Sequence, residues 1–171
     1  LSSGDYSCIG GLIKQLTELL REKQVSLSLP SLRIDSFMKD YTDDLQKVRK
    51  TGLTFAPEAG TQRLRDVINK GVTEENLFSS VDDAFSSGWS GIKLYFMIGL
   101  PTETDDDIIG ISSLASGVVQ RYYNVPKEQR AKGLHISLST SSFVPKPFTP
   151  FQWAPMNTKE QAKEKRFFLL D

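Results

Sequence analysis

The chain predicts an α/β fold: parallel strands that curve into part of a TIM-like (β/α) barrel, with helices outside. Three observations carry this. Strand-like and helix-like segments alternate in order, which calls for parallel strands joined by crossovers. The strands alternate apolar with hydroxyl-bearing or charged residues, instead of being apolar throughout as in a doubly wound sheet. A complete (β/α)₈ barrel takes about 250 residues, so roughly four or five strands are expected in this length.

Leu1 to Ser3 read as the tail of a strand. Gly11 to Lys23 place Leu12, Ile13, Leu16, Leu19 and Leu20 at the three- and four-residue spacing of an amphipathic helix. Val25 to Leu29 alternates apolar residues with Ser, the pattern of a half-buried strand. Asp35 or Ser36 caps the next helix, Phe37 to Lys50, and Gly52 ends it before the short strand Leu53 to Ala56.

Thr61 caps a helix through Asn69, stopped by Gly71. Thr73 opens another with an imperfect capping box, because Asn76 stands at the third position beyond it and Glu75 falls one residue short. Leu77, Val81 and Ala84 give that helix one apolar face. Gly91 to Ile98 is the clearest strand. Gly99-Leu-Pro101 turns it into a helix capped by Thr104 and running to Tyr123, with Asp105 to Asp107 at its positive end. Residues 124–133 form a charged connector, and Leu134 to Ser142 is the last strand. Residues 144–157 carry four prolines and read as an irregular loop. Residues 158–171 form the C-terminal helix. Length and composition, 39% hydrophobic and 25% charged, fit one domain over residues 1–171.

Several function classes are excluded or left without support. No apolar run approaches the roughly 20 residues of a spanning helix, and no signal peptide is evident, so a cytoplasmic protein is expected without a membrane partner. The 21 basic and 21 acidic residues balance, leaving a nucleic-acid partner unsupported although not excluded. One cysteine, Cys8, and one histidine, His135, cannot assemble a multi-thiolate or zinc site. The first residue is Leu, which fits a piece of a longer protein.

Strand parity points to a site. Val25, Leu27 and Leu29 alternate with Ser26 and Ser28; Leu134, Ile136 and Leu138 alternate with His135, Ser137 and Ser139. Ile92, Leu94, Phe96 and Ile98 alternate with Lys93, Tyr95, Met97 and Gly99. One face packs against helices, and the other suits a barrel interior that holds ligand and water. A tightly packed centre or an exposed sheet face would also tolerate those hydroxyls.

Two strand-to-helix corners carry a family resemblance. Gly52-Leu-Thr-Phe-Ala-Pro-Glu58-Ala-Gly60-Thr61 is followed by a helix ending at Asn69-Lys70; Gly91-Ile-Lys-Leu-Tyr-Phe-Met-Ile-Gly99 is followed by Leu100-Pro101-Thr102-Glu103-Thr104. Pro145-Lys-Pro-Phe-Thr-Pro150 lies beyond the last strand. In this order and at these intervals the motifs resemble the radical S-adenosylmethionine (radical SAM) enzymes. They are nearest to those fused to cobalamin-binding domains, and more distantly similar to the methylthiotransferases. In those families the first corner reads Glu-Ser-Gly or Gln-Ser-Gly, the helix ends in Asn-Lys or Asn-Arg, and the second turn reads Pro-Gly-Glu-Thr. Ala59 and Thr102 depart from this pattern. So do the absence of the CxxxCxxC cluster loop and of the Gly-Gly-Glu segment that receives the methionine amine.

The resemblance implies S-adenosylmethionine (SAM) as ligand, with a [4Fe–4S] cluster in the intact parent only and cobalamin in a fused domain. The parent would cleave SAM reductively to methionine and a 5′-deoxyadenosyl radical, whereas these residues alone would be inactive. The missing N-terminal part of the same protein becomes an expected partner, and the substrate stays unassigned.

Within this frame Glu58, an acceptor-only carboxylate at a strand end, suits the two ribose hydroxyls, or else it satisfies helix N–H groups. Arg33 and Lys70 suit the SAM carboxylate or the substrate. Gly99 suits close approach to adenine, with Met97 and Ile98 as apolar contacts, and Ser137 and Ser139 would complete the wall. Two other readings stay open. Lys93 on the polar face suits a Schiff-base aldolase. The aromatics Phe143, Phe148, Phe151 and Trp153 suit a non-catalytic interaction module, and unpaired strand edges suit a homodimer.

Overall fold

The structure, a computed structural model, describes residues 6–21, 23 and 52–170. The expected strand tail at Leu1 to Ser3, the strand Val25 to Leu29, the helix Phe37 to Lys50 and Arg33 lie outside the described residues. Helix α1, Ile9–Arg21, begins and ends two residues earlier than its apolar spacing suggested.

The described sheet has three parallel strands in the order β1 (Leu53–Glu58), β2 (Gly91–Ile98) and β3 (His135–Ser142). The expected four or five strands become three among the described residues. β1 runs two residues past its predicted end, to Glu58. Between β1 and β2 lie α2 (Gln62–Val67) and α3 (Glu74–Ser86); α4 (Asp105–Asn124) joins β2 to β3, and α5 (Lys159–Leu170) follows the Pro-rich segment.

Side-chain caps fix the helix starts. Thr61 accepts from the Leu64 N–H at the start of α2. At α3 the capping box is complete: Thr73 Oγ1 accepts from Asn76 N at 3.1 Å, and Asn76 Oδ1 accepts from Thr73 N at 3.0 Å. Asn76 thus completes the box from its third position, where the sequence pattern alone makes it imperfect. An Asn carboxamide oxygen reaches back as a Glu oxygen would, so the box closes.

The strand registers align apolar with apolar and polar with polar rows up to a bulge in β1 between Phe55 and Glu58, although Leu138 on β3 stays exposed. Leu53, Ile92 and Ile136 share a row, as do Thr54, Lys93 and Ser137; Tyr95 pairs with Ser139 and Met97 with Ser141. The apolar rows Leu53, Phe55, Ile92, Leu94, Phe96 and Ile98 are buried against α3 and α4. There Val81, Ala84, Phe85, Ile111, Leu114 and Val118 complete the main core. The Phe78 ring on α3 lies so close to α4 that a Cβ on Gly117 would sit 2.5 Å from it. Burying Phe55, Leu94 and Val118 stabilises by about 1.5–3 kcal/mol each, which makes this face the dominant contribution. A second cluster, Ala59, Leu64, Leu100 and Phe143, closes over the carboxyl ends of the strands, with Met97, Phe151 and Ala154 packed on it.

Candidate functional site

Parallel strands deliver their chemistry at their carboxyl ends, where β1 and β2 each turn sharply into a corner. At the first corner Glu58 is held at φ 70, the left-handed region that costs a non-glycine residue about 1–2 kcal/mol. Gly60 follows, and its position explains why no side chain stands there. A Cβ would lie 2.1 Å from the Asp107 carbonyl oxygen and 2.5 Å from Ile111 N, so the corner rests directly on the backbone of α4.

Arg65, only 1% exposed, folds back beneath this corner. Its Nη1 donates to Ala59 O at 3.0 Å and Nη2 to Gln62 Oε1 at 3.1 Å. Burial draws the guanidinium's pKa downward, opposed by the charges of Glu74 and Asp66. The Glu58 carboxylate points elsewhere: Lys70 Nζ lies 3.3 Å from Oε1, and both side chains remain part-exposed. Two of the residues singled out in the sequence thus meet.

At the second corner Gly99 adopts φ 88, and its N–H donates to both carboxylate oxygens of Glu103 at 2.9 Å. Glu103 is itself nearly enclosed and receives Lys165 Nζ from α5 at 2.7 Å. The open side of Gly99 is occupied by Asn157, whose Nδ2 would lie 2.4 Å from a Cβ at that position. Close approach is therefore what Gly99 permits, and the group approaching is a side chain of the Pro-rich segment. Asn157 Nδ2 is buried there without a hydrogen-bond partner.

The two corners are joined through Asp107, 2% exposed on the first turn of α4. Oδ1 accepts from the Thr61 hydroxyl; Oδ2 accepts from Arg63 Nη2, from Thr104 N at 2.7 Å and from Thr104 Oγ1 at 2.9 Å. Arg63 also donates to Thr102 O at 2.9 Å. Desolvation would raise the Asp107 pKa, but the hydrogen bonds from Thr61, Thr104 and Arg63 together outweigh it and hold the carboxyl below its usual range.

The remaining predicted site residues divide. Ser137 and Ser139 lie half-buried on the polar face, in register with Lys93 and Tyr95, and so sit further from the strand ends than Glu58 and Gly99. Lys93 Nζ stands 4.6 Å from the Tyr95 ring centroid. Met97 has the same parity but packs on the cluster of Leu100 and Phe143. Ile98 has its side chain buried in the main core, on the face opposite Lys93 and Tyr95. The aromatics also split. Phe143 and Phe151 stack edge to face with centroids 6.3 Å apart, while Phe148 and Trp153 are 98% and 89% exposed.

Sequence reasoning missed Asp107, Arg63, Arg65, Glu103, Asn157 and Lys165. The spacing Thr104-x-x-Asp107 was an available signal, since it is that of a capping box. An open groove of about 480 Å³ lies between the start of α4 and α5, lined by Asp105, Gln161, Glu164, Lys165 and Phe168. It contains neither Glu58 nor Gly99, and its wide mouth would leave a ligand largely exposed, which makes the strand ends the better candidate.

The chemistry of the donors separates two cofactors. A carboxylate at a strand end, with acceptor capacity left beside Lys70, fits a ligand that presents vicinal hydroxyls. A [4Fe–4S] cluster does not fit these residues, because Cys8 supplies one exposed thiol.

Three comparisons bear on this arrangement. The sequence profile of the Radical SAM superfamily matches residues 3–115. An uncharacterised protein of Methanocaldococcus jannaschii, MJ0966, is 34% identical over 165 residues, covering 96% of this chain and 33% of that protein. Coproporphyrinogen III oxidase (HemN) from Escherichia coli, a radical SAM enzyme, shares the fold. Its TM-score is 0.58 at 19% identity, over 94% of this chain and 37% of that one. The chain thus spans about a third of the length of the curated relative it matches.

Proposed function

Because the chain belongs to the radical SAM superfamily, we propose that its two strand-end corners form the SAM-holding wall of an enzyme. In that reading the intact parent cleaves SAM reductively to a 5′-deoxyadenosyl radical. The observation that carries it is Glu58. A carboxylate fixed at a left-handed φ by a corner that cannot move off α4 is a preorganised acceptor, and preorganisation is what a binding site needs.

Each residue then has a task. Glu58 accepts the two ribose hydroxyls, and Lys70 holds the carboxylate in place while offering a positive charge to the methionine end. Gly99 and Asn157 bound the adenine side. Ser137 and Ser139 line the deeper polar face, and Arg33 is proposed as a further anion-binding group. Phe143, Phe151 and Met97 exclude water from the strand ends. The ligands of the [4Fe–4S] cluster come from outside these residues, as would any cobalamin domain, and this chain alone has no turnover. The aldolase reading gains no support, since Lys93 Nζ stands over the Tyr95 ring and not at the strand-end corners.

Calorimetric titration with SAM tests this directly. The chain should bind it, Glu58→Gln should weaken binding about tenfold or more, and Lys93→Met should leave it within about twofold. Equal affinity in the wild type and Glu58→Gln would end the assignment. Under strong reductant the chain should release no 5′-deoxyadenosine.

A further inference from the structure

We propose that Asp107 is a positioning residue that couples the two strand-end corners, so that the ribose side and the adenine side of the site are held as one wall. This rests on the SAM reading above.

An ordinary helix cap would need only the Thr104 end of this network. Asp107 does more. Its Oδ1 serves Thr61, three residues beyond Glu58, and its Oδ2 serves Arg63 on the same helix as well as Thr104 on its own. Arg63 carries the link onward to the Thr102 carbonyl, gripping the second corner on the other side of Glu103. Glu103 in turn holds the Gly99 N–H. A continuous path of hydrogen bonds therefore runs from the N-cap of α2 to the turn that ends β2. The backbone adds a second tie, because Gly60 presses against the carbonyl oxygen of Asp107 itself.

Strain makes the coupling consequential. Glu58 and Thr102 both sit at positive φ, 70 and 65, and neither is glycine. Such conformations persist only where the surroundings over-determine them, and Asp107 is the group that touches both neighbourhoods. Removing its charge leaves two corners that can each relax separately, and the distance between the Glu58 carboxylate and the Gly99 wall is no longer set.

The test separates positioning from mere stability. SAM affinity is measured by calorimetry at 10 °C, with the fold of each variant checked by circular dichroism, for Asp107→Asn, Thr61→Val, Thr61→Ser and Val118→Ala. Asp107→Asn and Thr61→Val should weaken binding about tenfold, while Thr61→Ser, which keeps the hydroxyl, stays within about twofold. Val118→Ala, a change in the main core on the other face, should lower stability and leave affinity unchanged. Unchanged affinity in Asp107→Asn, or an equal loss in Val118→Ala, overturns the proposal. If the wild-type chain binds no SAM, the SAM reading falls, and amide exchange judges the coupling by itself. Asp107→Asn must then speed exchange at Leu64 and Gly99 together; acceleration confined to residues 104–107 shows a local cap and nothing more.

Discussion

Gly60→Ala is the perturbation whose outcome the structure fixes most tightly. The added methyl would meet the Asp107 carbonyl oxygen at 2.1 Å, Ile111 N at 2.5 Å and Gly110 C at 2.7 Å. All three are backbone atoms, so no side chain can swing aside. Restoring even the 3.4 Å edge of ordinary contact requires the corner and α4 to separate by about 1.3 Å, the difference between 3.4 and 2.1 Å. Helix α4 cannot follow easily, because Ile111, Leu114 and Val118 are locked in the core. Overpacking costs about 1–3 kcal/mol where neighbours can adjust, so about 3 kcal/mol or more is expected here. In a chain of this size that lowers Tm by about 6–12 °C. Gly71→Ala is the matched control: a Cβ there meets nothing within 4 Å, so the change should be neutral or stabilise by up to about 1 kcal/mol. Urea titrations with unchanged slopes read both values. A Gly60→Ala variant within about 0.5 kcal/mol of wild type would refute the close approach on which the corner geometry stands.

Other substitutions probe separate parts of the argument. Thr102→Gly removes a β-branched residue from φ 65, keeps the carbonyl that accepts from Arg63 Nη2 and loses only the hydroxyl that accepts from Nη1 at 3.4 Å, so it should stabilise by up to about 1 kcal/mol in the same titration. Asp107 has a lowered folded-state pKa, so the unfolded chain binds its proton more readily. Its contribution is whole above about pH 4, the unfolded value, and is lost as pH falls through the lower folded value; Asp107→Asn should flatten that acid limb. Ile98→Ala should cost about 2–4 kcal/mol of stability and leave SAM affinity unchanged, as befits a side chain on the helix-facing side. Trp89 is buried and Trp153 exposed, so acrylamide should quench the emission of Trp89→Phe readily and that of Trp153→Phe poorly. Equal quenching would contradict the outward placement of Trp153.

What could be read from the sequence follows from how local each feature is. Period-two alternation separated Ile92, Leu94, Phe96 and Ile98 from Lys93, Tyr95 and Met97 before any coordinates, because successive strand side chains must point to opposite faces. That same parity turns the Ile98 side chain toward the helices and the main core, while its neighbour Gly99 opens the strand-end corner. Thr61, Thr73 and Thr104 were legible as caps because a cap and its partner lie within three residues. Asp107 was legible only as a charge favouring the helix dipole, since its bonds to Thr61 and Arg63 span 46 and 44 residues.

The corner glycine shows why the site was harder to read than the fold. Gly60 could be recognised as part of a motif, yet glycine is used for positive φ, for turns and for close approach alike. Only the third dimension shows that a helix about 50 residues on requires it. The same holds for Arg65, which looks like one more solvated charge on α2 but lies under the corner, bound to Ala59 O. Most buried polar groups are paired, and pairing partners far apart in sequence are what folding brings together. The residues that position Glu58 are therefore the ones a linear reading misses, while Glu58 itself stands out. Variants at Glu58 alone would report whether a carboxylate is needed; variants at Gly60 and Asp107 report whether its placement matters, and the second question is the one that distinguishes a binding wall from a charged strand end.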